Sequence, residues 1–388
     1  MSLTVVCATI WVEVSVMRGL RVVGLMLALL LCALFVGPAQ PAVAKPHANK
    51  LQTAKPIWTL AMDGPRVAYA SGGRIHVWNV VTGATSVVKG TYSNADHSDN
   101  PAEIAIAGSR VAWVKRQQLG NTEQPQRLYT AAVGGSAVRL RRVLGYTDMG
   151  CGAGGSRIAG LVGSGNVLAV STWEASPDGL VAANQRLNLI TPTGLTPITG
   201  GSGAIVSAAA DHGRVAVVPL ARPGPEHDGY CDMTEPTSVA VYSVDGTLLK
   251  RVETGGPVAR VALSGNLLVV LPASPPTAFD VYDWTTGKLV HTWPLARPPF
   301  NFAVAGQLAV YSVQPRRGFA PAENVHLLDL TSGTDIAIAT TTNLHYRDLA
   351  IDRLGLVYAV NPPFKYKDTR PAKLVFLPTA NLLARLSG

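Results

Sequence analysis

The chain has 388 residues, of which 47% are hydrophobic and 15% are charged, and its mean hydropathy is +0.22. Its formal net charge is +9, which favours acidic partners or anionic surfaces. The basic residues are dispersed, with no run longer than Arg141-Arg142 or Arg316-Arg317, which argues against a protein that binds nucleic acid. A low charged fraction is typical of a chain with many buried strands and of a chain with a targeting segment.

The N-terminal segment has the three parts of a secretory signal peptide. Arg18 and Arg21 precede an apolar run over residues 22–36, and Ala42-Val43-Ala44 supplies the small residues of a cleavage site. Such a segment enters the membrane as a short helix and is then cut at an extended stretch. We therefore predict that residues 1–44 are a signal peptide and that the mature chain is secreted, extracellular or held in the cell envelope.

Two alternatives stay open for this segment. Residues 1–16 add nothing that a signal peptide needs, so they are interpreted as an upstream extension of a chain whose true start is Met17. The apolar run is also near the lower length limit for crossing a bilayer. An uncleaved anchor would then be the only membrane contact that the sequence predicts.

Two landmarks alternate seven times after the signal segment. The first is a glycine-centred turn that leads into an apolar strand, and it occurs at Gly64, Gly108, Gly165, Gly213, Gly265, Gly306 and Gly355. The second is a strand that ends in a turn, with turn residues Gly83, Gly134, Gly194, Gly246, Gly287, Gly333 and Asn381. Glycine and asparagine permit the positive φ that tight hairpins need. The copies average about 47 residues, close to the roughly 40–50 of a four-stranded propeller blade.

The copy at 258–295 shows the pattern most plainly. It predicts four short strands, at 259–263, 267–271, 279–283 and 288–293. One such sheet cannot bury both of its faces alone, so it needs copies of itself on either side. The sequence therefore predicts an all-β fold, a seven-bladed β-propeller of four-stranded antiparallel blades, over residues 58–388.

The ends of the repeat region follow from the same pattern. Residues 45–57 precede the first copy and are interpreted as a linker. Copy seven has an apolar stretch at 382–386, which we interpret as its own last strand. Whether the segment 45–57 helps to join the two ends of the ring stays open at this stage.

The stretch VYDWTTGKLVHTW at 281–293 places an aromatic–aspartate pair before a Thr-Gly turn. In this it resembles the repeats of WD-repeat, YVTN-type and quinoprotein-like propellers. The resemblance covers residues 58–388 and implies the propeller fold. It implies no activity, because most copies lack the Gly-His and Trp-Asp pairs of WD repeats and the regular tryptophans of quinoproteins.

The blade topology predicts one face of short turns and one face of long loops. The connections between second and third strands fall at 115–126, 174–185, 220–237, 272–278, 314–324 and 361–372, and only the first copy has a tight one, at 71–73. Insertions gathered on one face mark a binding face. We therefore predict an exported, non-catalytic propeller that binds a protein or a cell-envelope component through its long-loop face. The alternative is an extracellular enzyme, either a glycan hydrolase or lyase or an oxidoreductase, with its site at the channel mouth.

Cys151 and Cys231 are the cysteines that follow the signal segment, an even number in a chain predicted to be exported. Both fall in connections on the long-loop face. We predict a disulfide between them, which would contribute about 2–4 kcal/mol to stability. The alternative is a pair of thiols that lie too far apart to bridge.

Polar residues near the start of the first strand of several copies are predicted to ring the mouth of the central channel. They are Glu103, Arg157, Arg260, Asn301, Arg347 and Asp348. Arginines near one opening recognise a carboxylate, phosphate or sulfate through paired hydrogen bonds. These residues therefore predict a site for an anionic small ligand. The alternative is that they form ion pairs between blades.

The densest group of oxygen ligands lies at 94–100, where Asn94, Asp96 and Asp99 are candidates for binding a hard cation such as Ca²⁺. The stretch lacks the glycine and the closing glutamate of an EF-hand, which favours an ordinary polar loop. The eight histidines are scattered, and no phosphate-binding, dinucleotide-binding or nucleophile-elbow motif occurs. The sequence therefore predicts no cofactor and identifies no catalytic residue.

Overall fold

The computed structural model describes residues 49–91, 101–117, 123–146, 157–175, 182–198, 205–219, 236–313, 323–341, 349–362 and 370–387. These ranges contain 28 strands, which form seven sheets of four antiparallel strands each. The predicted seven-bladed β-propeller of four-stranded blades is therefore confirmed. The signal segment at 1–44 lies outside the described residues.

The first strand of the chain, β1 (Lys50–Thr53), belongs to blade seven. Blade one contains β2 (Ile57–Asp63), β3 (Arg66–Ser71), β4 (Arg74–Asn79) and β5 (Thr85–Val87). Blade two contains β6 (Pro101–Ala107), β7 (Arg110–Arg116), β8 (Glu123–Ala132) and β9 (Val138–Tyr146). Blade three contains β10 (Arg157–Ser164), β11 (Val167–Ala175), β12 (Ala182–Ile190) and β13 (Leu195–Pro197).

Blade four contains β14 (Ile205–Asp211), β15 (Arg214–Pro219), β16 (Ser238–Ser243) and β17 (Leu248–Glu253). Blade five contains β18 (Val258–Ser264), β19 (Leu267–Pro272), β20 (Ala278–Asp283) and β21 (Lys288–Pro294). Blade six contains β22 (Pro299–Ala305), β23 (Leu308–Val313), β24 (Glu323–Asp329) and β25 (Asp335–Thr341). Blade seven contains β26 (Leu349–Asp352), β27 (Gly355–Val360), β28 (Ala372–Pro378) and β1.

Burial changes along each blade and defines its inner and outer strands. The first strands of successive blades contact one another, so they surround the central axis. In blade five the second strand, β19, is almost entirely buried, whereas the outer strand, β21, is exposed over most of its length. The apolar side chains are packed between blades: Val241 and Val252 of blade four share one cluster with Val261 and Tyr282 of blade five. This packing explains why one sheet alone would be unstable.

The turns between first and second strands have two residues in each blade. Their glycines adopt positive φ, for example 56° at Gly64 and 53° at Gly108, as the sequence predicted. In an antiparallel meander these turns and those between third and fourth strands lie on one face, and the other connections lie on the opposite face. We call the two sides the short-turn face and the long-loop face.

The end of blade seven differs from the sequence prediction. Residues 382–386 do not form a strand; they lie in a helix, α1 (Thr379–Leu386), whose Leu382 is buried against blades six and seven. Leucine, alanine and arginine in this stretch favour a helix once Pro378 has ended β28. The fourth strand is instead β1, which pairs antiparallel with β28. Residues 50–53 therefore close the ring, within the segment that the sequence analysis had interpreted as a linker.

The helix α1 is the one helix in these ranges. None of the described helical structure has the length and the hydropathy of a membrane span.

Candidate functional site

The inner strands of blades one to six carry a β-bulge, which lies near the strand start except in blade three, where it lies in the middle of β10. The strand pairing shifts at Ile57/Thr59, Pro101/Glu103, Ala159/Val162, Ile205/Ser207, Val258/Arg260 and Pro299/Asn301. A bulge leaves one residue unpaired and changes the direction of the side chains that follow it. Glu103, Arg260 and Asn301, which the sequence analysis selected, therefore occupy equivalent positions in blades two, five and six.

Glu103 is held by two neighbours at the start of β6. Its Oε1 accepts a hydrogen bond from Nη2 of Arg116, in an ion pair of 2.8 Å, and its side chain is 12% exposed. Its Oε2 accepts a hydrogen bond of 3.0 Å from the backbone N–H of Leu161, in the inner strand of the next blade. One carboxylate oxygen is thus bound by the second strand of blade two and the other by the inner strand of blade three.

Arg260 makes a similar contact between blades. Its Nη1 donates to the backbone carbonyl of Phe300, at the start of the next inner strand, over 2.5 Å. The backbone N–H of Val261 donates to Oγ of Ser207 in blade four, over 3.2 Å. Asn301 is half-buried and lies opposite Ser312 in the strand pairing. Side chains at the bulge therefore join one inner strand to the backbone of the next.

The structure describes only the backbone of Arg157 among the remaining predicted site residues. Arg157 begins β10 opposite Trp173, but its side chain lies outside what the structure describes. The residues that fall wholly outside the described ranges are Arg347, Asp348, Cys151, Cys231, Asn94, Asp96 and Asp99. The anion site, the disulfide and the cation site therefore stay predictions. Within those ranges, no group of three or more His, Cys, Asp or Glu residues could hold a metal ion.

The opposite end of the inner strands carries hydrogen bonds that the sequence analysis missed. Asp63, the last residue of β2, accepts hydrogen bonds from the N–H of Gly108, over 2.6 Å, and of Gly165, over 2.8 Å. Asp211, the last residue of β14, accepts one from the N–H of Gly265, over 2.6 Å. Each acceptor binds the two-residue turn of a later blade. These contacts bind the turns to one another on the short-turn face.

Ser264 continues the series, since its Oγ accepts a hydrogen bond of 2.8 Å from the N–H of Gly306. We call the acceptors Asp63, Asp211 and Ser264, with the glycines they bind, the turn ring. A sequence signal was present: the residue that ends the inner strand is aspartate or serine in five copies. These residues are Asp63, Ser164, Asp211, Ser264 and Asp352.

Asp352 lies at the junction of blades seven and one and is the most perturbed carboxyl group near the turns. Burial raises its pKa to about 6, although the backbone N–H groups of Leu354 and Gly355 act in the opposite direction. The negative charge of Asp63 raises the pKa further. Its Oδ1 accepts a hydrogen bond of 2.7 Å from Leu354, whereas its Oδ2 is buried and has no hydrogen-bond partner.

A second titratable group lies within blade six. The hydroxyl of Tyr311 donates to Oδ2 of Asp335, and Nδ1 of His326 lies 3.1 Å from Oδ1 of the same carboxylate. The rings of Tyr311 and His326 stack with centroids 4.8 Å apart. Burial, and then the bond to Asp335, raise the pKa of Tyr311 well above its usual range. Because Tyr311 is fully buried and packs edge-on against Phe279 of blade five, the group holds the two blades together.

The similarities to known proteins are distant. No family model matches the chain, and no curated protein matches it. A chain in the crystal structure of the mitotic checkpoint complex is 14% identical, with a TM-score of 0.49, over 89% of this chain and 98% of that one. BamB from Moraxella catarrhalis is 12% identical, with a TM-score of 0.43, over 83% of this chain and 86% of that one.

Saccharomyces cerevisiae Sqt1 is 9% identical, with a TM-score of 0.43, over 87% of this chain and all (100%) of that one. These likenesses carry no argument about function, and the strand pairing itself establishes the fold.

Proposed function

We propose that this protein is an exported, non-catalytic β-propeller that binds a protein or a cell-envelope component through its long-loop face. The observation that carries the proposal is the difference between the two faces of the ring. A propeller fold is suited to a protein-binding scaffold because a rigid ring presents loops of variable length.

The short-turn face leaves little room for variation. Its inner turns have two residues in every blade, and the turn ring ties several of them together. Its outer turns are also short: the one in blade five spans only 284–287. A surface built from such turns has few side chains that can be changed without disturbing the ring.

The long-loop face carries the unequal connections. Between second and third strands they span 72–73, 117–122, 176–181, 220–237, 273–277, 314–322 and 361–371. The proposal rests on these lengths, which the strand boundaries define. The predicted signal segment at 1–44 supports export, and with it a partner outside the cell or in its envelope.

Site-specific photo-crosslinking in cells that produce the protein tests the choice of face. A benzophenone amino acid replaces Thr237 or Thr277 on the long-loop face, and Thr247 or Thr286 on the short-turn face. The four threonines are exposed and form matched pairs in blades four and five. We expect a discrete crosslinked species from the first pair only. Equal crosslinks from both pairs, or crosslinks from the short-turn positions alone, would overturn the proposal.

Export is tested separately by sequencing the N-terminus of the exported chain. We expect it to begin at Lys45, directly after Ala42-Val43-Ala44. A chain that stays in the cytoplasm with residues 17–44 intact would contradict export. A chain in the envelope with those residues intact would show that the segment is an anchor.

A further inference from the structure

Blade two is the most basic part of the described ring. Its four strands contain seven basic residues and two acidic ones, Glu103 and Glu123, whereas the strands of every other blade have at most one more basic than acidic residue. The basic residues are Arg110, Lys115, Arg116, Arg127, Arg139, Arg141 and Arg142. A positive surface of this kind attracts an acidic partner.

Three of these cations form one row across the sheet. Lys115 of β7 lies opposite Arg127 of β8, which lies opposite Arg142 of β9. Like charges directly opposite each other destabilise a sheet. An anionic ligand beside Arg142, the exposed end of the row, would offset part of this repulsion.

The neighbouring row places a further cation on the same side of the sheet. Trp113 lies opposite Tyr129, with the two rings stacked 5.5 Å apart, and Tyr129 lies opposite Arg139. Residues two apart along a strand share a face, so Arg127 and Tyr129 point to the same side. A bulge between Leu128 and Tyr129 brings Arg139 and Arg142 to that side although they are three residues apart.

The charges become more accessible toward the outside of the ring. Lys115 is buried, Arg127 is half-buried, and Arg139 and Arg142 are exposed. Arg127 donates a hydrogen bond of 3.1 Å to Oε1 of Gln117. Within the described ranges, neither Arg139 nor Arg142 forms an ion pair. Their charge is thus available to a partner at the rim.

The strand that carries these arginines is also an edge of its sheet. β9 has nine residues and pairs with β8 on one side. Beside its start, Lys89 of blade one donates to the carbonyl of Gly135 and accepts from the N–H of Ala137. No other described strand pairs with β9. An edge strand offers backbone N–H and C=O groups that an extended peptide can bind.

We propose that the rim of blade two binds an extended acidic segment of a protein partner, which pairs with β9 as an added strand and places carboxylates beside Arg139 and Arg142. Charge alone would suit any polyanion. The strand edge favours a polypeptide, because only a peptide backbone can continue the ladder. This surface is separate from the long-loop face, so its test does not depend on the proposed function.

Binding of a fluorescein-labelled decapeptide of alternating glutamate and threonine, followed by fluorescence anisotropy at low salt, tests the charges. The double variant Arg139→Gln/Arg142→Gln should bind at least about tenfold more weakly than the natural chain, since two charged hydrogen-bonding partners are lost. The control Arg251→Gln/Lys288→Gln removes two cations from the outer strands β17 and β21. It should change the affinity less than about twofold. Thermal unfolding checks that both variants are folded.

The strand pairing is tested with the same peptide N-methylated at alternate residues, which keeps its charge but cannot donate to an edge. We expect about tenfold weaker binding. Equal binding of the two peptides, or tighter binding of a single-stranded oligonucleotide of equal charge, would overturn the proposal and show a general polyanion surface. No binding of the unmodified peptide would overturn it too, because the arginines would then only protect the edge from aggregation.

Discussion

The turn ring and the rim of blade two use charged residues in opposite ways. Asp63 binds two backbone N–H groups of later blades, so its carboxylate is satisfied inside the protein. Arg139 and Arg142 lie exposed on an edge strand. Arg142 lies opposite Arg127, which in turn lies opposite Lys115. The first arrangement holds neighbouring blades together, and the second presents charge to the surroundings.

Stability and recognition therefore depend on different parts of this ring. A side chain that bonds to the backbone of the next blade fixes the geometry of a junction, and its loss leaves a buried donor unpaired. An exposed charge at the rim is screened by solvent, so its loss changes the stability of the fold little. Variants of the inner contacts should therefore change stability, and variants of the rim should change binding.

The largest effect is expected at the junction that closes the ring. Asn361 is buried; its Oδ1 accepts a hydrogen bond of 2.8 Å from Ile57, and its Nδ2 donates one of 2.7 Å to the carbonyl of Ile57. Asn361→Ala removes both of these hydrogen bonds at the buried junction of blades seven and one. We expect the free energy of unfolding in urea to fall by about 3–4 kcal/mol.

Asn266→Ala is the control for this variant, since Asn266 is exposed in a short turn of blade five. Its effect should stay below about 0.5 kcal/mol. Equal stabilities of the two variants would show that the ring closes without the Asn361 contacts.

The next effect concerns the turn ring itself. Asp63→Ala removes two hydrogen bonds to a carboxylate. Asp211→Ala removes the one to Gly265 and a contact with Nδ1 of the exposed His212, which contributes little in solvent. We expect losses of about 2–3 kcal/mol for the first variant and about 1–2 kcal/mol for the second, because bonds to charged acceptors are stronger than neutral ones. Urea unfolding measures both. A larger loss for Asp211→Ala would contradict the bridging role of Asp63.

The fold was predictable because its repeat is local. The predicted strands of the copy at 258–295 agree with β18 to β21 to within one residue at each end. The exception is the end of the chain, where apolar residues at 382–386 were interpreted as a strand. Their partner would have been β28, but that edge is taken by β1, more than 300 residues away in the sequence. A local pattern cannot show a pairing of this range.

The contacts of the site were less predictable than the positions of its residues. Glu103 and Arg260 were selected near the start of inner strands, and both lie at bulges there. Their partners, Leu161 and Phe300, come from another blade, and only the closed ring brings them together. The turn ring had a sequence signal in Asp63 and Asp211, which precede their turns, but polar residues before a turn are common for local reasons.

Asp352 offers a test in which a variant should gain stability. Since burial raises its pKa to about 6, the folded chain holds a proton on Asp352 more tightly than the unfolded chain, whose aspartate pKa is near 3.8. The contribution to stability is therefore full below about pH 4 and is lost as the pH rises through 6. Asp352→Asn keeps a neutral side chain at all pH values and should be about 2 kcal/mol more stable than the natural chain at pH 7.

The measurement is the difference in free energy of unfolding between the two chains at several pH values. The difference should shrink between pH 7 and pH 4, since other groups titrate alike in both. Asp283→Asn is the control: the hydrogen bond from Thr285 lowers the pKa of this carboxyl, so it titrates below this range and should show no such trend. A constant difference across this range would contradict the raised pKa.

The smallest effect on stability is expected at the rim. Arg142→Gln removes the exposed member of the row that also contains Lys115 and Arg127, so it relieves repulsion between like charges. We expect the free energy of unfolding to stay within about 0.5 kcal/mol of the natural value, with a small gain at low salt that disappears at high salt. Urea unfolding at two salt concentrations measures it. A loss above about 1 kcal/mol would show that the arginine supports the fold, and the contrast with the turn ring would no longer hold.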